Sequence, residues 1–237
     1  MKEKTATVFI RCVFFVFALF FINSNAFSDS LYVFYPIAER PNVIQTKLSE
    51  VFPGTDITVF GRVNDFATKI QESPPDAILS KPATIQMFGN YAIQLQGHRK
   101  GSTEEKFILL SVDKSIDTGN LSASTVGMID ILGRKEMIDF LNSFFSSPPK
   151  LKRVTKMEDL LPLLTFNMCS AILIAEHSVD YFKSISKLNF VVTPTPDMKT
   201  GIIALAIKNG RNGDAIVKSA KEMKTDVNTL LEVDSWK

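Results

Sequence analysis

Short β-rich runs alternate with amphipathic helical segments along most of this chain, and that order constrains the fold more than any single motif does. The first such runs are residues 31–35, 57–60 and 77–79, each ended by Pro or Gly within a few residues. Helical periodicity begins near Pro41 and Asn64 between them. The β-α-β-α-β order predicts an α/β fold with a mostly parallel sheet.

A second series of the same kind follows a polar stretch at residues 113–124, which we interpret as a crossing between two halves. Two further strand-like runs precede this stretch, at residues 91–95 and 107–112. The later runs lie at residues 125–132, 152–154, 171–175, 190–192 and 201–207, and helices are expected from Asp214 and Thr225. A chain that forms one half-sheet, crosses over, forms a second half-sheet and then returns to the first is expected to fold into two lobes. Ligands bind beyond the carboxyl ends of strands in such sheets, so the lobes should enclose a cleft.

The first 26 residues have the pattern of a secretory signal peptide. Lys2, Lys4 and Arg11 precede or flank the apolar run 13–22, and small residues end at Ala26. The apolar run is shorter than the ~20 residues that span a bilayer. We therefore predict cleavage after Ala26, export, and a periplasmic location.

Charge and cysteine content exclude several classes of function. Residues 1–26 account for three basic side chains and one acidic one, so the net charge of +2 falls to zero in the mature chain. A nucleic-acid-binding protein normally has a basic excess, so no nucleic-acid partner is expected. Cys12 leaves with the signal and Cys169 is left alone, which excludes an internal disulfide.

Motifs for metals, cofactors and nucleophilic catalysis are missing from the sequence. Its two histidines, His98 and His177, are far apart and lack metal-ligand spacing. There is no phosphate-binding loop, dinucleotide fingerprint or nucleophile elbow. We predict no metal, no cofactor and no enzymatic activity.

Four segments in order resemble the type II periplasmic solute-binding proteins, especially the phosphate/phosphonate-type members that serve ABC transporters. They are the signal followed by LYVFYPIAERPNVIQTKL, then PPDAILSKP, TVGMIDILGRKEMIDFL and TGIIALAIKNGRNGDAIVKSAKEM. The resemblance covers the mature chain and implies two lobes, each a mostly parallel sheet flanked by helices. Lobe I would comprise residues 27–112 and 197–237, and lobe II residues 113–196. Where phosphonate-type relatives have a Ser/Thr-Ser-Gly loop, this chain has residues 133–136 (GRKE).

Polar side chains that follow the strands are the candidate ligand-binding residues, because strand-to-helix turns should face the cleft and helix N-termini attract anions. They are Tyr35, Ser80, Lys81, Thr84, Arg134, Lys135, Glu176 and His177. Hydroxyls, an ammonium and a guanidinium suit a small phosphate-, phosphonate- or carboxylate-like anion.

Each candidate also has a purely structural interpretation. Tyr35 can be a ring at the edge of the core, Ser80 to Thr84 an ordinary helix start, and Arg134 and Lys135 a solvated basic pair. Glu176 and His177 can form a local ion pair or a helix cap.

Three functions fit these observations. The first is a monomeric binding protein that closes on a small anion and presents it to an ABC-type membrane permease. The second is a sensory or accessory protein of the same fold that docks on a membrane receptor such as a sensor kinase or cyclase. The third, a hydrolase using Glu176 and His177, lacks a positioned nucleophile.

Overall fold

The computed structural model describes residues 29–237, so the predicted signal segment 1–26 lies outside the described residues. Within them the strands are β1 (Asp29–Phe34), β2 (Thr55–Val59), β3 (Ala77–Ser80), β4 (Tyr91–His98), β5 (Glu104–Val112), β6 (Thr125–Ile129), β7 (Lys150–Val154), β8 (Ala171–Ala175), β9 (Phe190–Gly201), β10 (Ala204–Lys208) and β11 (Ser235–Trp236). The α-helices are α1 (Pro41–Val51), α2 (Val63–Glu72), α3 (Pro82–Ile85), α4 (Arg134–Phe144), α5 (Leu160–Thr165), α6 (Val179–Ile185), α7 (Asp214–Lys221) and α8 (Thr225–Leu230). Single 3₁₀ turns at Met157–Asp159 and Glu176–Ser178 lead into α5 and α6.

The strands form two sheets, which are the centres of two lobes. The first sheet has six strands in the order β11-β4-β10-β3-β1-β2, and the second has five in the order β7-β6-β8-β5-β9. The C-terminal strands β10 and β11 belong to the first sheet, where β10 pairs with β3 and β11 pairs with β4.

Each sheet is mixed, where the sequence pattern predicts mostly parallel sheets. The strands β2-β1-β3 are parallel, as are β7-β6-β8. The strands added beside them, β10 and β5, run antiparallel to their neighbours. The βα alternation correctly indicates the parallel part, but it says nothing of strands that arrive from the other lobe.

Strands β5 and β9 connect the lobes and pair with each other along most of their length. The predicted boundary at residue 112 assigns β5 to lobe I, whereas β5 pairs with β8 of the second sheet. The division into lobes stays a prediction, and this pairing favours a boundary near residue 103 over one near residue 112. Strand β9 is also far longer than the predicted run 190–192. It includes Pro194, and Pro is tolerated because β9 is an edge strand with one side free of ladder bonds.

Three apolar clusters fill the layers of the molecule. One packs α1, α7 and α8 on the outer face of the first sheet, and another packs α5 and α6 on the second. The third, which we call the shared core, is continuous between the lobes. It joins Phe34 and Phe66 of the first lobe to Met128, Met137 and Leu173 of the second. The two lobes therefore meet over buried apolar surface and not only through their connecting strands.

Among residues 29–237, none of the helices has the length and apolar character needed to cross a membrane.

Candidate functional site

The turns that follow β1, β3 and β8 meet at one small cavity between the two sheets. Tyr35, Lys81 and His177 come from these turns and all line the cavity, which has a volume of about 50 Å³. This is where the carboxyl ends of parallel strands place ligand-binding turns in open α/β sheets. The structure thus brings together three of the predicted residues from distant parts of the chain.

The opposite wall of the cavity is apolar. It is built by apolar residues of the second sheet and of the turns beside it, namely Phe107, Met128, Ile129, Ile131, Met157, Leu173 and Ile174. The cavity therefore has a charged end and an apolar end. That combination holds a small molecule by burial of its apolar part and fixes its orientation through a few polar groups.

Five side chains line the charged end, and Arg99 contacts three of them without lining the cavity itself. We call these six the cleft cluster: Tyr35, Lys81, Arg99, Glu105, His177 and Glu232. The Lys81 ammonium is ion-paired with the Glu105 carboxylate, and both side chains are more than 90% buried. Lys81 Nζ also donates to the carbonyl oxygen of Ile202 at 3.3 Å. The same Nζ lies 5.2 Å from the centre of the Tyr35 ring, within the range of a cation–π contact.

Arg99 and Glu232 hold each other within the first lobe, and His177 of the second lobe contacts both. Arg99 donates from Nε to the Glu232 carbonyl oxygen at 2.6 Å and from Nη2 to Oε2 at 3.1 Å. Its Nη1 lies 2.6 Å from His177 Nδ1, and His177 Nε2 lies 3.0 Å from Glu232 Oε2. Since a guanidinium can only donate, Nδ1 accepts, and Nε2 bears the proton that is donated to Glu232.

Glu232 has a backbone conformation that normally belongs to glycine. Its φ is +58°, and it follows the last turn of α8. The amides of Glu232 and Val233 return to the carbonyls of Thr229 and Asn228 at 3.0 and 2.9 Å, which is the Schellman pattern. A side chain in this left-handed position is strained, and strain of this kind is concentrated at functional sites.

Two groups of the cleft cluster, Tyr35 and Glu232, have pKa values that differ from their ordinary values. Burial, together with the charges of Glu105 and Glu232, raises the pKa of the Tyr35 phenol well above its ordinary value, although Arg99 opposes the shift. Burial also disfavours the Glu232 carboxylate. The hydrogen bond from His177 and the charges of Arg99 and Lys81 outweigh that effect, so the pKa of Glu232 lies below its usual value of 4.5. Tyr35 is therefore neutral and Glu232 ionised at neutral pH.

Ser80 and Thr84 lie near the cavity but form internal hydrogen bonds. The Ser80 hydroxyl donates to the Phe34 carbonyl oxygen at 2.6 Å, inside the first sheet. The Thr84 hydroxyl donates at 3.0 Å to the carbonyl oxygen of Ile131 and so joins the two lobes. Neither is among the residues that line the cavity.

Arg134 and Lys135 are not brought to the cavity. Both are exposed at the start of α4, and Arg134 lines a separate groove of about 300 Å³ beside Pro148. Just before the helix, Asp130 accepts the Gly133 amide at 2.7 Å and is ion-paired with Arg153. A carboxylate of the chain itself is thus the partner of the amide that directly precedes the first helical residue.

Glu176 is exposed and is likewise absent from the lining of the cavity, although its neighbour His177 is part of it. Within residues 29–237, no group of three or more His, Cys, Asp or Glu side chains is arranged to hold a metal ion. Where His177, Glu105 and Glu232 come close, the cations of Lys81 and Arg99 lie among them.

Sequence reasoning missed Arg99, Glu105 and Glu232. Arg99 and Glu232 belong to no strand-to-helix turn, since Arg99 follows β4 and Glu232 follows a helix. Glu105 lies on β5, two residues before the start of the predicted strand. One available signal was the predicted return of the tail to lobe I, which brings the acidic C-terminal residues close to the cleft.

Two lobes with mixed sheets, joined by paired strands and enclosing a cavity at their strand ends, define a two-lobed periplasmic-binding-protein-like fold of type II. No protein-family profile and no curated protein matches the sequence.

Solved structures of this fold match most of the chain at low sequence identity. The substrate binding protein of an amino acid ABC transporter is 14% identical, with 86% of this chain and 97% of that one covered and a TM-score of 0.56. The ligand binding core of GluR0 in complex with L-glutamate is 12% identical, with coverages of 87% and 96% and a TM-score of 0.59. A double mutant of the BvgS VFT2 domain of Bordetella pertussis is 13% identical, with coverages of 86% and 91% and a TM-score of 0.56.

Proposed function

We propose that this protein is an exported solute-binding protein that holds a small molecule between its two lobes and serves an ABC-type uptake system. The observation that supports it most is the convergence of Tyr35, Lys81 and His177, from both lobes, on one cavity. Solute contacts to both lobes exist only when the lobes are closed, so a solute that makes them favours the closed form. The predicted signal peptide supports a periplasmic location, and the protein is proposed to act as a monomer.

Two of the structural matches support a binding role. One is a substrate binding protein of an ABC transporter, and the other is a ligand binding core with L-glutamate bound. What those two proteins bind does not identify the solute of this chain. For this chain the solute class must be argued from the cleft cluster.

The charges of the cleft cluster set a condition on an anionic solute. Lys81 and Arg99 are the groups that would bind an oxyanion, and both are already paired with carboxylates, Glu105 and Glu232. An anion that entered would have to replace one of these carboxylates, because an additional buried charge without a partner is costly. The apolar wall with Phe107, Met128 and Leu173 favours a solute that also has an apolar part.

A thermal-shift screen of the secreted protein tests the proposal. The compounds are phosphate, phosphonates, organic acids and amino acids. A solute present at 100 times its Kd stabilises the folded form by about 2.7 kcal/mol, which corresponds to roughly 5–10 °C in Tm for a chain of this size. If no member of these classes raises Tm at millimolar concentration, the solute-binding function is refuted for them.

Variants of two basic residues then locate the site. Lys81→Ala is expected to weaken the binding of a hit by about tenfold or more, because a hydrogen bond to a charged group is lost. Arg134→Ala is the matched comparison, since Arg134 lines a different groove. Unchanged affinity in Lys81→Ala, measured by calorimetry, would remove the cleft cluster from the solute site. A loss in Arg134→Ala would restore Arg134 as a binding residue.

A second candidate function is a periplasmic sensory or accessory protein that docks on a membrane receptor. It is favoured by the pairing of polar groups of one lobe with those of the other inside the cleft. The similarity to the periplasmic VFT2 domain of BvgS supports it at the level of the fold. Neighbouring genes for a permease and an ATPase would favour the uptake function, whereas a neighbouring kinase or cyclase gene would favour the sensory one.

A further inference from the structure

We propose that Arg99, His177 and Glu232 form an interlobe latch, which is a set of contacts that holds the cleft closed when no solute is bound. A solute then enters only after His177 has separated from the first lobe. This inference rests on the proposed function in one respect, namely that the cleft is the place a solute enters. It adds the regulation of that site.

His177 is the side chain of the second lobe in the latch, and it connects to a cation and an anion of the first. The 2.6 Å contact to Arg99 and the 3.0 Å contact to Glu232 use both ring nitrogens. A neutral imidazole with its proton on Nε2 satisfies both partners at once. Arg99 and Glu232 are fixed to each other by two further hydrogen bonds. Both partners of His177 are therefore already held in position when the lobes close.

Glu232 makes its contact with His177 from a left-handed backbone position. A glycine would adopt the φ of +58° at the end of α8 without strain. The chain instead has a residue whose carboxylate reaches across to the other lobe.

The remaining contacts between the lobes favour the same closed arrangement. The shared core continues from Phe66 in the first lobe to Met137 in the second, and Thr84 donates to Ile131 across the boundary. The contacts of His177 with Arg99 and Glu232 lie at the charged end of the central cavity. If a solute enters only the open form, its apparent affinity is lowered by the fraction of molecules held closed.

Small-angle X-ray scattering of the secreted protein without added solute tests the latch. The wild-type curve should match the closed arrangement, with a radius of gyration near the roughly 17 Å expected for a compact chain of this length. His177→Ala removes both contacts from a partly exposed side chain, and Arg99→Gln removes the contact to Nδ1 from the other lobe. Each variant should raise the ratio of open to closed molecules by about tenfold or more, and the radius of gyration with it.

Lys47→Gln is the matched control, because it removes a cation from an exposed ion pair with Glu50 inside the first lobe. It should leave the scattering curve unchanged, and circular dichroism of every variant shows whether it is folded. A wild-type curve wider than the closed arrangement would overturn the latch. So would folded His177→Ala and Arg99→Gln variants that scatter like the wild type.

The latch and the proposed function fail in different ways. A closed wild type with open variants, but without any solute that binds, leaves the latch standing and refutes the uptake function. A wild type that is open without solute, yet binds a solute by calorimetry, refutes the latch and keeps the uptake function.

Discussion

Glu232 combines a strained backbone with a charged side chain at the centre of the cleft cluster, and these two properties can be separated by substitution. Glu232→Gly removes the carboxylate but relieves a positive φ, whereas Glu232→Gln removes the charge and keeps the strain. We expect Glu232→Gln to lower the free energy of unfolding by about 1–3 kcal/mol. In urea unfolding, the Glu232→Gly variant should be about 1 kcal/mol more stable than the Glu232→Gln variant. Equal stability of the two variants would show that the backbone at residue 232 is not strained.

The lowered pKa of Glu232 makes the stability of the folded protein depend on pH in the acid range. Because the folded-state pKa lies below the usual 4.5, ionised Glu232 stabilises the fold above about pH 4.5. That stabilisation is lost as the pH falls through the folded-state value. The difference in unfolding free energy between wild type and Glu232→Gln should therefore be largest near pH 7 and shrink below pH 4.5.

The control for this pH series is Glu50→Gln, which breaks an exposed ion pair with Lys47 at 3.6 Å. Exposed pairs contribute little, so its stability should stay within about 0.5 kcal/mol of wild type. A Glu232→Gln difference that stays constant from pH 7 to pH 3 would contradict the assignment of a depressed pKa to Glu232.

The rule that ligand-binding residues follow strands selected Tyr35, Lys81 and His177, which line one cavity because the carboxyl ends of β1, β3 and β8 meet there. The same rule selected Arg134, which lies at a separate groove. Asp130 already accepts the Gly133 amide at that helix start, and a sequence pattern does not show which carboxylate folds back. Arg99 and Glu232 could not be found this way, since only the tertiary structure brings the two loops together.

At the scale of elements, the sequence was informative wherever periodicity and a local breaker agree. Helix α1 begins at Pro41 and α7 at Asp214, as expected from a proline at a helix start and from the apolar spacing. Strand β9 was largely missed because its prolines are typical of a break. Its continuity comes from pairing with β5, which is a contact distant in sequence.

The end of β9 packs against the start of α3 so closely that only glycine fits. A Cβ added at Gly201 would lie 2.3 Å from Cγ of Pro82, a ring that cannot rotate away. We expect Gly201→Ala to destabilise the protein by about 1–3 kcal/mol, the usual range for overpacking. Gly89→Ala is the control, because no atom lies within 4 Å of its added Cβ and its φ is not positive. Chemical denaturation of both variants tests this prediction. Equal stabilities would show that β9 and α3 can move apart at this contact without an energetic cost.

At the scale of the whole molecule, the shared core should make the two lobes unfold together. The chain offers one natural probe in each lobe. Trp236, the single tryptophan, is buried in the first, and Cys169, the single cysteine after residue 26, is buried in the second. A cooperative unit requires that different probes show coincident transitions. We expect the urea midpoint from Trp236 fluorescence to equal the midpoint for exposure of the Cys169 thiol to a disulfide reagent. Cys169→Ala, followed by fluorescence alone, controls for any effect of the modified thiol. Two separate midpoints would mean that the lobes are stable by themselves, and the apolar surface between them would then be a contact that opens in the folded protein.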